Sequence, residues 1–220
     1  MLDFVRLVER VEVTMGRQRS PKHQVGAHMI PYLRAANVKD GALDLSSVLA
    51  MNFGPSEQLK YCLVRGDVLV TEGCGSLAQI GASARWDGQL EGPVGFQNTV
   101  LRLRAIDGIS DAEFVYQWAR WSFESGAFAR TATGSSIFHI GATRASRMPF
   151  PDMPVEAQRR IGDLMQHFDR ALALSPTDAL RSLRSGVLDA LVTGAHEIPF
   201  SYDRFVPENS SYREPDAVTV

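Results

Sequence analysis

A proline-rich segment followed by a long helical pattern is the feature that most constrains how this chain can fold. Three prolines fall between residues 149 and 154, and proline can neither pair inside a sheet nor continue a helix. Pro154 suits the first turn of a helix, and Glu156 follows where the helix dipole favours an acid. Apolar residues then recur every three or four positions as far as Leu191. The chain therefore divides near residue 150 into two parts that differ in the spacing of their apolar residues.

The second part predicts a helical region over 151–196 and an extended tail over 197–220. Ser175-Pro176 interrupts or restarts the helix, and Gly194 is a typical stop. An apolar stripe on so long an appendage would aggregate unless covered, so we expect a coiled-coil-type dimerisation and spacer region. The alternative is a helix that folds back on its own domain. The stripe comprises Ile161, Leu164, Met165, Phe168, Leu172, Leu180, Leu183, Val187 and Leu191.

The first part of the chain predicts a β-rich mixed domain. Apolar and polar residues alternate over 94–105, as in a strand, and 59–73 indicates two further strands. The stretch 79–90 indicates a hairpin that turns at Asp87-Gly88. Ser110-Asp111 then begins a helix whose aromatic stripe we interpret as core packing. The predicted fold class is therefore α+β, with a β-rich domain followed by long helices.

Composition bounds the class of protein. The chain has 220 residues, of which 45% are hydrophobic, enough for one sizeable domain with an appendage. No apolar run has the length of about 20 residues that a membrane helix needs, and the N-terminus lacks the apolar core of a signal peptide. Cys62 and Cys74 form no CxxC pair, which favours reduced thiols. We therefore expect a cytoplasmic protein with no membrane partner.

Basic residues concentrate in two windows that lack any acid. Between Glu12 and Asp40, and again between Glu124 and Asp152, every charged side chain is basic. The part after residue 150 carries seven arginines against eleven acids, so the part before it is +2 although the whole chain is −2. This distribution favours a phosphate-facing surface on the first domain, although an ordinary solvated face has the same pattern.

No catalytic constellation is evident in the sequence. The five histidines form no HExxH pair, and neither a GxxxxGK[ST] phosphate loop nor a GxSxG nucleophile turn occurs. We therefore expect no metal, no cofactor and no catalytic residue. The alternative is a methyltransferase that binds S-adenosylmethionine in the glycine-containing loop 68–78. Against it, the segment after Gly75 indicates a strand and a turn rather than the helix that such a loop precedes.

Nearly the whole chain resembles the specificity subunit of type I restriction-modification systems. The order and spacing of several segments carry the resemblance, since no single motif is diagnostic. These segments are IPYLRAANVKDGALDL (30–45), LVRGDVLVTEGCGSLAQIG (63–81), VGFQNTVLRLR (94–104), TGSSIFHI (133–140), FPDMPVEAQRRI (150–161) and LRSLRSGVLDALVTGAHEIPFSYD (180–203).

The resemblance implies a non-catalytic subunit that brings methyltransferase subunits, and through them a restriction motor subunit, to a bipartite site in double-stranded DNA. The usual family member has two target-recognition domains and two helical regions that pack antiparallel as a spacer. This chain has one of each, with the recognition domain over 1–150, so it resembles a half-subunit that self-associates. A stand-alone DNA-binding or antirestriction module stays open as a further alternative.

The DNA-contact candidates come from the polar loops. Arginine and lysine position phosphates, whereas amide side chains and arginine read base edges. The candidates in the first basic window and the turns after it are Arg17, Gln18, Arg19, Lys22, Arg34, Asn37, Gln79, Gln97 and Asn98. The candidates in the second window are Arg130, Thr133, Ser135, Ser136, Arg144 and Arg147.

Overall fold

Thirteen short strands and six helices make up residues 2–195, the part of the chain that this computed structural model describes. The strands are β1 Asp3–Arg6, β2 Val11–Met15, β3 Met29–Leu33, β4 Val38–Lys39, β5 Ala42–Leu43, β6 Leu49–Asn52, β7 Val68–Thr71, β8 Gly73–Cys74, β9 Ser83–Arg85, β10 Gly95–Phe96, β11 Val100–Ala105, β12 Phe138–His139 and β13 Pro149–Asp152. The helices are α1 Pro55–Tyr61, α2 Ala112–Glu124, α3 Ala127–Thr131, α4 Ala142–Ala145, α5 Val155–Leu174 and α6 Asp178–Thr193. Three-residue 3-10 turns occupy Leu7–Glu9, Pro21–His23 and Ala35–Asn37. The predicted α+β class is confirmed, and the predicted tail at 197–220 lies outside the described residues.

A four-stranded antiparallel sheet in the order β2-β11-β7-β9 forms the centre of the first domain. Met15 of β2 pairs with Leu101 of β11, and Thr71 of β7 pairs with Val100. Because β11 runs opposite to both neighbours, its start lies beside the ends of β2 and β7. A second sheet has the order β10-β3-β6.

Both faces of the central sheet are buried. Val68 and Val70 of β7 belong to a core that includes α2, whereas Leu69 between them belongs to a second core with Trp86 and Phe96. Successive side chains of a strand point to opposite faces, so a fully buried strand means a sheet that is covered on both sides. This explains the continuous apolar run in that strand.

Helix α2 begins where the sequence predicts and lies in the larger core. The carboxylate of Asp111 caps it by accepting a hydrogen bond from the Phe114 N–H at 2.9 Å. Phe114 and Trp118 are fully buried and meet Phe150 edge-on, with ring centroids 5.6 and 5.4 Å apart. The interpretation of the aromatic stripe as core packing is confirmed for these two residues.

The first of the two strands predicted over 59–73 is replaced by the end of helix α1. Pro55 starts that helix directly after Gly54, a position that suits the fixed backbone of proline. The Glu57 carboxylate then accepts from the Gly54 N–H at 2.9 Å and caps the first turn. Local capping therefore overrides the apolar pattern that indicated a strand.

The hairpin predicted over 79–90 contains one strand, β9. The Asp87 side chain lies 2.9 Å from the Arg85 guanidinium, and the Asp87 N–H donates to the side chain of Gln89 at 2.9 Å. These side-chain contacts hold the chain after β9 in an irregular segment that does not lead into a returning strand.

The two long helices fold back on the first domain instead of projecting from it. α5 ends at Leu174, and α6 restarts at Asp178 after Thr177, whose hydroxyl accepts from the Leu180 N–H at 3.3 Å. Pro176 between them cannot continue a helix, which lets the chain reverse. α5 and α6 pack against each other and against α2, forming a helical hairpin.

The expectation that the whole apolar stripe lies exposed is wrong, because α2 covers much of it. Ile161, Met165 and Leu191 are at most 5% exposed. The stripe residues that belong to the core around α2 or pack against it are Ile161, Leu164, Met165, Phe168, Val187 and Leu191. The outer part of the stripe remains accessible: Leu183 is 55% exposed, and Leu172 and Leu180 are half-buried.

A polar network joins the three helices inside this packing. The fully buried Gln117 of α2 donates to Asp169 at 3.1 Å and accepts from Arg184 at 2.6 Å. Arg184 is 2% exposed and also donates to Asp169 at 2.7 Å. Burial raises the pKa of Glu113, although Gln117 and Arg85 both bond to its carboxylate. Such groups are tolerated in a core only when they are paired, so the network restricts how α6 can sit on α2.

Gln158 ties the start of α5 to the start of α2, which gives a physical reason for the glutamine after the prolines. Its amide is fully buried and accepts from the Asp111 N–H at 3.0 Å. It also donates to the carbonyls of Ile109 and Met153, at 3.2 and 3.0 Å. One turn later, Gly162 allows close approach, because a Cβ there would lie 3.0 Å from a side chain of α2.

Replacing Gln158 with leucine tests this junction. Leucine keeps the volume but leaves backbone groups of Ile109, Asp111 and Met153 unpaired in the core, which lowers the free energy of unfolding by about 3 kcal/mol. Urea denaturation followed by circular dichroism measures the change. His167→Ala, on the exposed face of the same helix, is the control and shifts the free energy by less than about 0.5 kcal/mol. Equal stability of the two variants would contradict this role for Gln158.

Candidate nucleic-acid interface

Loops that carry predicted DNA-contact residues meet at one end of the central sheet. The chain leaves β2 after Met15, enters β11 at Val100 and leaves β7 after Thr71, and the ladder brings these strand ends together. Ser83, the first residue of β9, pairs with Val70 near the same end. We call this end of the strands the loop end of the sheet. The segments that start or finish there are 16–28, 72–82 and 97–99.

The turn before β11 connects three of these segments. The Asn98 N–H donates to the carbonyl of Arg17 at 3.0 Å. The Ala35 N–H donates to the hydroxyl of Thr99 at 3.1 Å, and the Glu72 N–H donates to the Thr99 carbonyl at 2.9 Å. Chain segments that follow β2, β3 and β7 are therefore held against one turn.

The buried carboxylate of Glu72 holds the glycine-serine loop of the second basic window at the same end. Glu72 is 3% exposed, its Oε1 accepts from the Gly141 N–H at 3.1 Å, and its Oε2 lies 3.2 Å from Nδ1 of His139. The Ile140 N–H donates to the Glu72 carbonyl at 3.0 Å, and β12 pairs with β8 beside it. Our sequence reasoning missed Glu72. The available signal was an acid directly after an apolar strand, where a buried charge needs a partner.

Most of the predicted contact residues are exposed in these loops. The exposed ones at or beside the loop end are Gln18, Arg19, Lys22, Gln79, Thr133, Ser135, Ser136 and Arg144. Gln97 and Asn98 are half-buried in the turn before β11. Arg144 closes the glycine-serine loop by donating to the Thr133 hydroxyl and the Ile140 carbonyl, both at 2.8 Å.

Two of the predicted contact residues are buried and bond to other residues of this chain. Arg17 is 8% exposed, and its guanidinium pairs with Glu57 at 2.6 Å. Asn37 is 2% exposed and donates to the carbonyls of Asp44 and Ser47 at 2.8 and 3.0 Å. Both side chains face inward, which residue type and charge pattern alone did not reveal.

The other three predicted arginines are placed differently. Arg34 is half-buried after β3, beside the turn before β11, and its Nε is buried with no hydrogen-bond partner among the described residues. From α3, Arg130 donates to the backbone at the end of α2 at 2.8 Å. Arg147 precedes Met148, whose carbonyl accepts from the Leu7 N–H at 2.9 Å, so it lies beside the start of β2 rather than its end. The second basic window is therefore not one continuous surface.

A cleft of about 210 Å³ opens beside the first basic window. Its lining residues are Arg19, Ser20, His23, Gln24, Tyr32, Leu49, Ala50 and Met51. Arginine, glutamine and histidine supply hydrogen-bonding groups to this cleft, whereas the Tyr32 ring is 1% exposed and offers no face for stacking.

The described residues give a limited chemical inventory. Within residues 2–195, no group of three or more His, Cys, Asp or Glu side chains is placed to hold a metal ion. None of the helices in that range combines the length and the apolar character that a membrane crossing requires. Cys62 and Cys74 are free thiols, and burial raises the pKa of Cys62.

The loop 68–78 lacks the geometry of a nucleotide-binding turn. β7 runs antiparallel to both of its neighbours, whereas dinucleotide-type folds present such loops from parallel strands. Gly73 lies in β8, and a Cβ there would meet the His139 ring at 2.8 Å, so the glycine makes room for a side chain. The residues that follow it, 75–82, form turns instead of a helix. The fold therefore disfavours the methyltransferase alternative.

Comparison with known proteins places this architecture. No protein-family model matches the chain, and no curated protein matches it in sequence. A chain from a study of complex assembly and conformational transition of the type I R-M system matches with a TM-score of 0.57 and 17% identity, over 87% of this chain and 45% of that one. The type I restriction-modification S subunit from M. genitalium matches with a TM-score of 0.52 and 14% identity, over 79% and 40%. The HsdS subunit from Thermoanaerobacter tengcongensis matches with a TM-score of 0.54 and 17% identity, over 89% and 46%.

These three structures identify the class of fold. The chain has the mixed α+β fold of type I restriction-modification S subunits, and the predicted resemblance is confirmed at that level. At 14 and 17% identity, they show the fold alone. The chain spans less than half the length of each of these three solved chains.

Asn37→Ala separates a structural role from a DNA-contact role at this position. The change leaves the carbonyls of Asp44 and Ser47 without their donor, so we expect a loss of about 2 kcal/mol in the free energy of unfolding. Thermal or urea denaturation measures it. Gln18→Ala, on an exposed loop residue, is the control and leaves stability within about 0.5 kcal/mol of wild type. A stable Asn37→Ala variant would show that the buried amide does not hold this turn.

Proposed function

We propose that this chain is a sequence-specific DNA-recognition subunit of a type I restriction-modification system, with no catalytic residue of its own. One observation carries the proposal. Polar and basic loops from distant parts of the chain collect at the loop end of a sheet, in a fold shared with S subunits. Loops held by a rigid sheet are a common way to present recognition residues.

The exposed side chains in these loops divide into two chemical groups. Arg19 and Lys22 supply positive charge for phosphates, which sets position on the duplex without reading its sequence. Gln18 and Gln79 carry amides that pair a donor with an acceptor, as the edge of adenine requires, and the half-buried Asn98 in the turn before β11 carries a third. The proposed surface therefore contains both groups that specific binding needs.

In this proposal the chain brings methyltransferase subunits, and through them a restriction motor subunit, to double-stranded DNA. Support comes from the fold likeness to a chain studied for complex assembly of the type I R-M system. The proposal assigns all chemistry to the partners, needs no cofactor on this chain, and implies a cytoplasmic location.

Self-association through the outer face of the helical hairpin completes the proposal. Leu183 is 55% exposed and Leu174 is 89% exposed, although both are large apolar side chains. A twofold pair would cover this face and present two recognition surfaces to the two halves of a bipartite site. The matched S subunits are more than twice as long as the region that they share with this chain, so a second copy would supply a comparable length.

Charge reversal at the loop end tests DNA binding. The double variant Arg19→Glu/Lys22→Glu loses two phosphate contacts, so we expect at least about tenfold weaker binding to a fluorescent duplex. The slope of log affinity against log salt also falls in magnitude by about two. Fluorescence anisotropy over a salt series measures both quantities.

Arg65→Glu is the matched control for this experiment. Arg65 is exposed just before β7, at the end of the sheet opposite the loop end, so one charge reversal there, against two in the double variant, leaves affinity within about twofold. Equal loss from both variants would mean that net charge, not the loop end, controls binding.

Leu183→Asp tests self-association. A charge in place of an apolar side chain that becomes buried on pairing opposes self-association, so we expect a solution mass of two chains for the wild type and of one chain for the variant. Light scattering after size exclusion measures the mass. Leu59→Asp changes another exposed leucine, 88% exposed on α1, and is expected to leave the dimer intact. A wild-type chain that is monomeric at high micromolar concentration would remove this part of the proposal.

A further inference from the structure

His139 combines features that the proposed contact residues do not have. Its side chain is 50% exposed at the loop end, and its Nδ1 lies 3.2 Å from the buried Oε2 of Glu72. The ring also lies against Gly73, where any Cβ would come within 2.8 Å of it. One edge of the imidazole is therefore held by the protein while half of the side chain faces solvent.

The backbone on both sides of this histidine is fixed as well. The His139 N–H donates to the Thr133 carbonyl at 2.9 Å, and the Thr133 N–H donates to the His139 carbonyl at 3.0 Å. Arg144 donates to the same carbonyl at 3.0 Å. The glycine-serine loop is thus closed on itself at His139, so the ring is presented from a rigid base rather than from a free loop.

Glu72 determines which ring nitrogen carries the proton. Its Oε1 already accepts from the Gly141 N–H, and a carboxylate Oε2 can only accept, so the contact is satisfied as a hydrogen bond when His139 donates from Nδ1. In the neutral ring, Nε2 is then a hydrogen-bond acceptor. A buried carboxylate that orients a histidine in this way also occurs behind metal-ligating and catalytic histidines.

Resting on the proposed function, we propose that His139 is a base-reading residue whose Nε2 accepts a hydrogen bond from an exocyclic amine in the major groove. Adenine N6 and cytosine N4 are the donors that this groove offers. Glu72 is the positioning residue, since it contacts the ring and not the DNA. Two charged side chains bond to His139: Glu72 contacts its ring, and Arg144 donates to its backbone carbonyl.

The experiment is binding selection from a randomised duplex library, using the full chain together with any subunits that co-purify with it, and sequencing of the bound fraction. We expect the wild type to select a sequence that has adenine or cytosine at one position. His139→Ala reduces the preference at that position from about tenfold to under about twofold, while preferences elsewhere persist. His167→Ala, on the exposed face of α5, is the control and selects the wild-type sequence.

Glu72→Gln is expected to change which base is preferred, whereas His139→Ala only removes the preference. The amide oxygen keeps the Gly141 bond, so the amide nitrogen faces His139 Nδ1 and moves the ring proton to Nε2. The preference at the same position is then expected to shift to guanine or thymine, whose major-groove edges offer acceptors. If this buried change prevents folding, His139→Ala decides alone.

The selection experiment can contradict the proposed function and the role of His139 separately. A wild-type chain that enriches no sequence overturns the proposed function. A wild-type chain that enriches a sequence which His139→Ala reads equally well overturns only the role of His139.

Discussion

The antiparallel register of β11 between β2 and β7 is the constraint on which the rest of this structure depends. It pairs Leu101 with Met15 and Val100 with Thr71. A slip of one residue would exchange the two buried faces of the sheet, since successive side chains point in opposite directions. It would also move the Thr99 carbonyl away from the Glu72 N–H that it now meets at 2.9 Å. Core packing and the assembly of the loop end therefore both depend on one register, so the stability of the fold and the geometry of the proposed recognition surface are coupled.

Helix α2 is the second shared element, because both parts of the chain use it. One of its faces packs on the sheet, and another receives the helical hairpin through Gln117, Asp169 and Arg184. Gln158 adds bonds at the point where the chain enters α5. The proposed reading loops and the proposed pairing face thus belong to one packed body, in which the orientation of one with respect to the other is set by buried polar contacts.

The sequence predicted much of this organisation, and its failures have physical causes. The α+β class, the strand at Val100–Ala105 and the capped start of α2 follow from local patterns, namely alternation of apolar residues and an aspartate at the N-cap. The single strand predicted over 94–105 is wrong in its first half, because the turn at 97–99 separates β10 from β11 and places them in different sheets. Helix α1 was missed because a capping contact from Glu57 outweighed the apolar pattern. Arg17 and Asn37 were assigned to DNA because charge and residue type do not show whether a side chain faces inward. Glu72 and His139 lie 67 residues apart, so only the fold brings them together.

The reversal at Ser175-Pro176 changes the reach of the helical region. An uninterrupted helix through α5 and α6 would extend more than about 50 Å, whereas the hairpin extends for the length of α5 alone, 20 residues or about 30 Å. At about 3.4 Å per base pair, that is the length of roughly nine base pairs of duplex. If two copies meet through the outer face of this hairpin, the length of the hairpin sets the distance between their proposed recognition surfaces. In that arrangement, moving or removing the proline would alter the number of unread base pairs between the two proposed half-sites without changing any residue proposed to contact DNA.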